Sequence, residues 1–250
     1  MNNVFKAELY KIQKSKSTLA FFLVLLAYSL LNLGLYFLMK VFFPEDLPTA
    51  TEGLLNTFIT FSTDAIFQYG SLIYIAGVVT HMYTFGPMKQ LVATGNSRRS
   101  IIVGQFCSMG FILSLMAIVG GIIYAICGNH SFALGTVDTT RYIISIFGML
   151  ANIWCLAAFF LFFAHLLNNI GAAIAIGLIL MMGGGLAVSY LAGLIKAPWL
   201  SDYWLFNMLS DTVDMTLKTA EQIKYILIVA ALSIVFIELT ALVFKRKEIK

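Results

Sequence analysis

Hydrophobic positions in this chain fall in long unbroken stretches, separated by short polar islands. A bilayer core of about 30 Å takes about 20 helical residues at about 1.5 Å each. Six stretches reach that length: 19–39, 61–85, 101–127, 142–167, 170–195 and 223–244. Inside them apolar and polar residues do not alternate, as "FFLVLLAYSLL" illustrates, so the strands of a transmembrane barrel are excluded. The pattern predicts an all-α, polytopic membrane protein whose residues 1–250 form a single transmembrane domain of six helices. The first stretch follows a basic segment, which raises the question of a secretory signal. At about 21 residues it is long for the apolar core of a signal peptide. No small-residue cleavage site follows "LGLYFLMK", so it is expected to be a retained span.

Composition strengthens the assignment: 60% of residues are hydrophobic and only 11% charged, with a mean hydropathy of +0.90. Soluble domains carry about a quarter charged residues. Charge then sets orientation, because cytoplasmic flanks retain Lys and Arg. Lys6, Lys11, Lys14, Lys16, Lys89, Arg98, Arg99, Lys245, Arg246, Lys247 and Lys250 fall on one side. Lys40, Arg141, Lys196, Lys218 and Lys224 fall on the other, among most of the acidic residues. Both termini and the loop between spans two and three are therefore expected in the cytoplasm, in a multi-pass protein of the cell membrane. The net charge of +4 reflects this asymmetry and anionic lipid, and does not point to nucleic acid.

Three polar segments stand out. In residues 1–17, Phe5, Leu9 and Ile12 share one helical face while Lys6, Lys11 and Lys14 lie around the rest, which reads either as an interfacial helix or as a basic flank that fixes orientation. The loop "GPMKQLVATGNSRRS" has Pro87 suited to a first helical turn, Met88, Leu91 and Val92 as an apolar face, Gly95 suited to a C-terminal cap and Ser97 to an N-cap. Two readings stand for Lys89, Arg98 and Arg99: a handle that reaches a partner's carboxylates, or a basic turn meeting lipid phosphate. After the fifth span, "KAPWLSDYWLFNMLSDTVDMTLKTAEQ" carries the interfacial aromatics Trp199, Tyr203, Trp204 and Phe206, and leaves room for a helical hairpin dipping back from the outer surface.

Inside the spans, Thr57, Thr60, Asp64, Gln68 and Ser71 recur at three- and four-residue spacing, and such a stripe avoids lipid. It is read either as a substrate path or as Asp64 reaching the outer interface. Glu238 lies seven residues before Lys245, on the same face, and is expected to pair with it. In the fifth span, Gly171 with Ala175 and Ala173 with Gly177 suit close helix approach, and Gly183, Gly184 and Gly185 suggest a bend or close contact. Cys107, Cys127 and Cys155 read as packing residues, and the scattered His81, His130 and His165 argue against a metal site.

The chain carries no phosphate-loop motif and no hydrolase or zinc-protease arrangement, so it is expected to be no enzyme in its own right. The order of parts, from "KAELYKIQKSKS" through "MKQLVATGNSRRSIIVGQF" to "FKRKEIK", resembles the type-2 permease family of ATP-binding-cassette transporters. In its small size it is similar to permeases of lantibiotic-immunity and peptide-toxin exporters. The resemblance implies a dimer with a second copy or a sister permease, and a cytoplasmic ATP-binding-cassette ATPase that carries the ATP and Mg. It also implies that Lys89 to Arg99 is the coupling helix, that Asp64 and Gln68 face the path, and that the segment after Pro198 is an outer hairpin. The expected function is export of an amphipathic or lipophilic substrate such as an antimicrobial peptide. An ion-coupled carrier and a non-transporting membrane sensor or assembly protein are the alternatives.

Overall fold

The computed structural model describes residues 2–42, 53–84, 91–93, 95, 97–128, 138–197 and 199–246. Among them, six helices are long and apolar enough to cross a membrane, and the protein is an all-α polytopic membrane protein. Helix α1 (Asn2–Gln13) precedes the first span, α2 (Lys16–Phe42). The second span is composite: α3 (Leu54–Thr60), a 3-10 turn (Phe61–Thr63) and α4 (Ala65–Thr84). The third and fourth spans are α5 (Arg98–Gly128) and α6 (Thr139–Leu167). The fifth comprises α7 (Ile170–Leu178), a π segment (Ile179–Gly183) and α8 (Gly184–Leu194). Short helices α9 (Trp199–Asp202) and α10 (Leu205–Asp211) lead to the sixth span, α11 (Thr219–Arg246).

The fourth span is the hub of the bundle. It packs most extensively on the sixth, and also on the second, third and fifth. Its burial and that of the second span reach 61% of their most apolar windows, against 11% for the fifth and 17% for the first. The apolar core runs through Phe61, Phe67, Leu72, Ile75, Met109, Leu113, Ile153, Leu156 and Phe160. Each such side chain, fully buried, is worth about 1.5–3 kcal/mol relative to exposure in water. In a bilayer the same burial works through close packing rather than escape from water.

Helix α1 buries the expected face. Ile12 is 1% exposed, Leu9 packs against the core, and Phe5 is half-buried, while Lys6 and Tyr10 are exposed. Glu8, one turn from Ile12, shares the buried side. The helix rests on the third span, where the Ser108 hydroxyl donates to the Phe5 carbonyl at 3.4 Å. That span has 31 residues, about 46 Å of helix, longer than the hydrocarbon core of about 30 Å.

Close approach at glycine fixes the half of the bundle away from the basic termini. A Cβ at Gly148 of the fourth span would collide with the Thr212 carbonyl, and one at Gly184 with the Trp204 indole. The segment after the fifth span therefore folds back into the bundle as a plug, burying Leu205, Met208, Leu209 and Val213. Polar side chains stitch it in place. Asn152 donates to the Leu209 carbonyl and to Ser62, both at 3.4 Å. Gln222 donates to the Ser145 hydroxyl at 2.8 Å and to the Thr212 carbonyl at 3.0 Å. Trp199 and Tyr203 are exposed, whereas Trp204 and Phe206 turn inward. Half-burial, and then the neighbouring charges of Asp214 and Asp202, push the Asp211 carboxyl above the usual range.

In the fifth span, Ala173 and Gly177 are the buried small residues, with Gly177 against Leu72 of the second span. Gly171 and Ala175 face outward. Of the bend or close contact expected at the triple glycine, the close contact is present: the π segment ends at Gly183, and Gly184 packs against Trp204.

Candidate functional site

The basic residues define one end of the bundle, where α1, the start of the third span and the end of the sixth converge. Met88 and Lys89 lie outside the described residues. Residues 91–93 are helical, and Leu91 and Val92 turn their side chains onto the core, leaving Ala93 exposed. Gly95 adopts φ +80°, and its N–H donates to the Val92 carbonyl at 3.1 Å. This is the left-handed stop that glycine makes at low cost. Ser97 then caps the third span, its hydroxyl accepting from the Ser100 N–H at 3.2 Å.

The two arginines that follow grip the sixth span. Arg98 donates through Nη1 to the Phe244 carbonyl at 3.0 Å and to the Lys245 carbonyl at 2.8 Å. These are carbonyls that a helix C-terminus leaves without intrahelical partners. Its guanidinium also lies 5.8 Å from the Phe244 ring centroid. Arg99 forms an ion pair with Glu238. The expected pairing of Glu238 with Lys245 is thereby corrected: the guanidinium comes from another span and offers a planar fork that matches a carboxylate.

Directly behind this grip lies a buried polar joint. His165, fully buried in the fourth span, meets the Tyr83 hydroxyl at 2.6 Å through Nδ1 and the Gln105 Oε1 at 2.9 Å through Nε2. An amide oxygen only accepts, so Nε2 carries the proton and Nδ1 accepts from Tyr83. Gln105 in turn donates to the Met82 sulfur at 3.3 Å. Phe244 closes the ring, edge-on to His165 with centroids 5.7 Å apart. Second, third, fourth and sixth spans thus meet within about two turns of the loop between the second and third.

A cleft of about 550 Å³ opens at the same end, lined by Ile12, Ser15, Lys16, Ser17, Gly77, Val78, His81 and Ile170. It separates the start of the first span from the start of the fifth, over a floor made by the second. Gly77 keeps that floor low, with only the Ile170 Cδ1 within 3.6 Å of where a Cβ would stand.

The polar stripe of the second span is distributed differently from its spacing. The helix breaks at Phe61–Thr63, and Asp64 restarts it: Oδ1 accepts from the Ile66 N–H at 2.9 Å, and the main-chain carbonyl from the Gln68 N–H at 3.0 Å. With α3 and the 3-10 turn ahead of it, Asp64 sits at the junction between the two α-helical parts of the span Leu54–Thr84. Its Oδ2 accepts from the Tyr28 hydroxyl at 3.2 Å, and Tyr28 stacks on Tyr124 at 5.7 Å. Gln68 and Ser71 are buried, and the Ser71 hydroxyl donates to the Phe67 carbonyl at 2.7 Å.

Of the residues singled out in the sequence, Leu91, Val92, Arg98 and Arg99 come together at the basic end, with Ile12 at the neighbouring cleft. Asp64, Gln68 and Ser71 belong to the second span's interior. The His165 joint carries no local signal, since its members lie 60 and 82 residues apart. No family model matches the chain, and no curated protein matches it.

Proposed function

We propose that this chain is the membrane permease subunit of an ATP-driven exporter, energised by a separate ATP-binding-cassette ATPase that docks on the loop between the second and third spans. The observation that carries the reading is the attachment of that loop to the bundle. Arg98 ties its end to the Phe244 and Lys245 carbonyls, and the His165 joint lies immediately beneath. A push at Arg98 therefore reaches four spans through hydrogen bonds and packed rings. In this reading the basic end faces the cytoplasm, Leu91 and Val92 fasten the handle to the bundle, and a partner grips the opposite side. The cleft between the first, second and fifth spans is the entry for an amphipathic substrate, with Lys16 and His81 at its polar rim and Ile12, Val78 and Ile170 as apolar wall. A second permease, identical or a sister, completes the path.

The test is affinity purification of the full chain from its own membranes, followed by ATP hydrolysis in proteoliposomes. A phosphate-loop ATPase should co-purify, and substrate should stimulate its turnover. Replacing Ala93 with Glu should abolish co-purification while leaving the thermal midpoint unchanged, because that side chain is exposed. Transport driven by an ion gradient with no ATPase would replace this reading with a secondary carrier. Absence of both flux and ATPase would leave a sensor or assembly protein.

A further inference from the structure

On the face of the basic end turned away from the entry cleft, a second hollow of about 500 Å³ is lined by Arg98, Arg99, Glu238, Ala241, Leu242 and Lys245. We propose that it holds the phosphodiester of an anionic glycerophospholipid, with an acyl chain laid along the sixth span. Three cations and one carboxylate line the hollow, and the carboxylate is engaged by Arg99. Arg99 nevertheless keeps 69% of its side chain exposed, so its guanidinium has further N–H groups to offer an anion. Arg98 is held in place by the two carbonyls it caps, so one wall of the hollow is preorganised.

The apolar part selects the source of the phosphate. Leu242, Leu239 and Val235 follow one another at spacings of three and four along one helical face, and are 54%, 40% and 50% exposed. That track begins in the hollow and leads along the span into the bilayer. A free phosphate ester has no use for it, and an acidic protein segment would approach from the aqueous side and leave it uncovered. Basic hollows between helix ends at an anionic leaflet are where lipid head groups bind. The inference stands independently of any ATPase at this end.

The experiment uses the full chain, stripped of lipid in neutral maltoside and titrated with dioleoyl phosphatidylglycerol or dioleoyl phosphatidylcholine, with bound lipid counted by native mass spectrometry. The anionic lipid should bind at a concentration about tenfold lower. Lys245→Gln should weaken it about fivefold. Leu242→Trp, which fills the hollow without changing any charge, should weaken it by a similar factor. Arg246→Gln, outside the hollow, should leave it unchanged, and all three variants should keep the wild-type thermal midpoint without lipid. Equal binding of the two lipids would overturn the proposal, as would equal losses in Arg246→Gln and Lys245→Gln. Displacement by glycerophosphate at the lipid's own concentration would assign the hollow to a free anion instead.

Discussion

Arg99, in the first turn of the third span, is ion-paired with Glu238, two turns before the end of the sixth. The pair spans 139 residues of sequence and joins the loop's exit to the last helix. Both side chains are substantially exposed, so the attraction is screened where water reaches it. A double-mutant cycle on Arg99→Ala and Glu238→Ala should give a coupling of about 0.2–1 kcal/mol in detergent thermal unfolding. The cycle on Lys245→Ala and Glu238→Ala should give none. Coupling confined to the lysine would restore the pairing suggested by spacing alone.

Two glycines in the half away from the basic termini are required by what faces them, and a third is not. Gly148→Ala drives a methyl into a backbone carbonyl, and Gly184→Ala drives one into the Trp204 ring. Each should lower stability by about 1–3 kcal/mol, the range for overpacking, with Gly148 the worse because a backbone cannot rotate aside. Gly193 has nothing within 4 Å of its Cβ direction, so Gly193→Ala should be neutral or mildly stabilising. Thermal midpoints of the three variants, side by side, test the docking of the plug.

Asp64 serves as an N-cap at a helix break within a span, and that role separates from any part in transport. Asp64→Asn keeps an oxygen for the Ile66 N–H and should hold stability nearly unchanged. Asp64→Ala removes it and should cost about 1 kcal/mol. A transport path that uses the charge predicts lost flux in the Asn variant at wild-type stability. Equal loss of stability in both variants would mean that the charge, rather than the cap, holds the helix break together.

The six spans were legible because each is a long apolar run whose length matches the bilayer, and the structure extends them by only a few residues at most ends. The buried face of α1 was legible from the spacing of Phe5, Leu9 and Ile12. Gly95 and Ser97 declared their roles through residue type, since one tolerates positive φ and the other caps. The break at Phe61–Thr63 was hidden inside a hydrophobic stretch, although "FSTD" carries a capping signal at Asp64. What could not be read locally is the set of contacts between distant residues. The His165 joint, the partner of Glu238 and the seating of Trp204 on Gly184 all depend on how the spans pack, and hydropathy is blind to packing partners.

The π segment at Ile179–Gly183 gives the fifth span a property that neither half has alone. An extra residue accommodated in a helix turns everything beyond it by about 100°. The half bearing Ala173 and Gly177 is thereby free to follow the second span, while the half bearing Gly184 follows Trp204. The bulge is a phase shifter: it lets one rod satisfy two surfaces that no straight helix could meet in register. Its inverse is equally defined, because deleting one residue there would realign the two faces and force the span to abandon either Leu72 of the second span or Trp204.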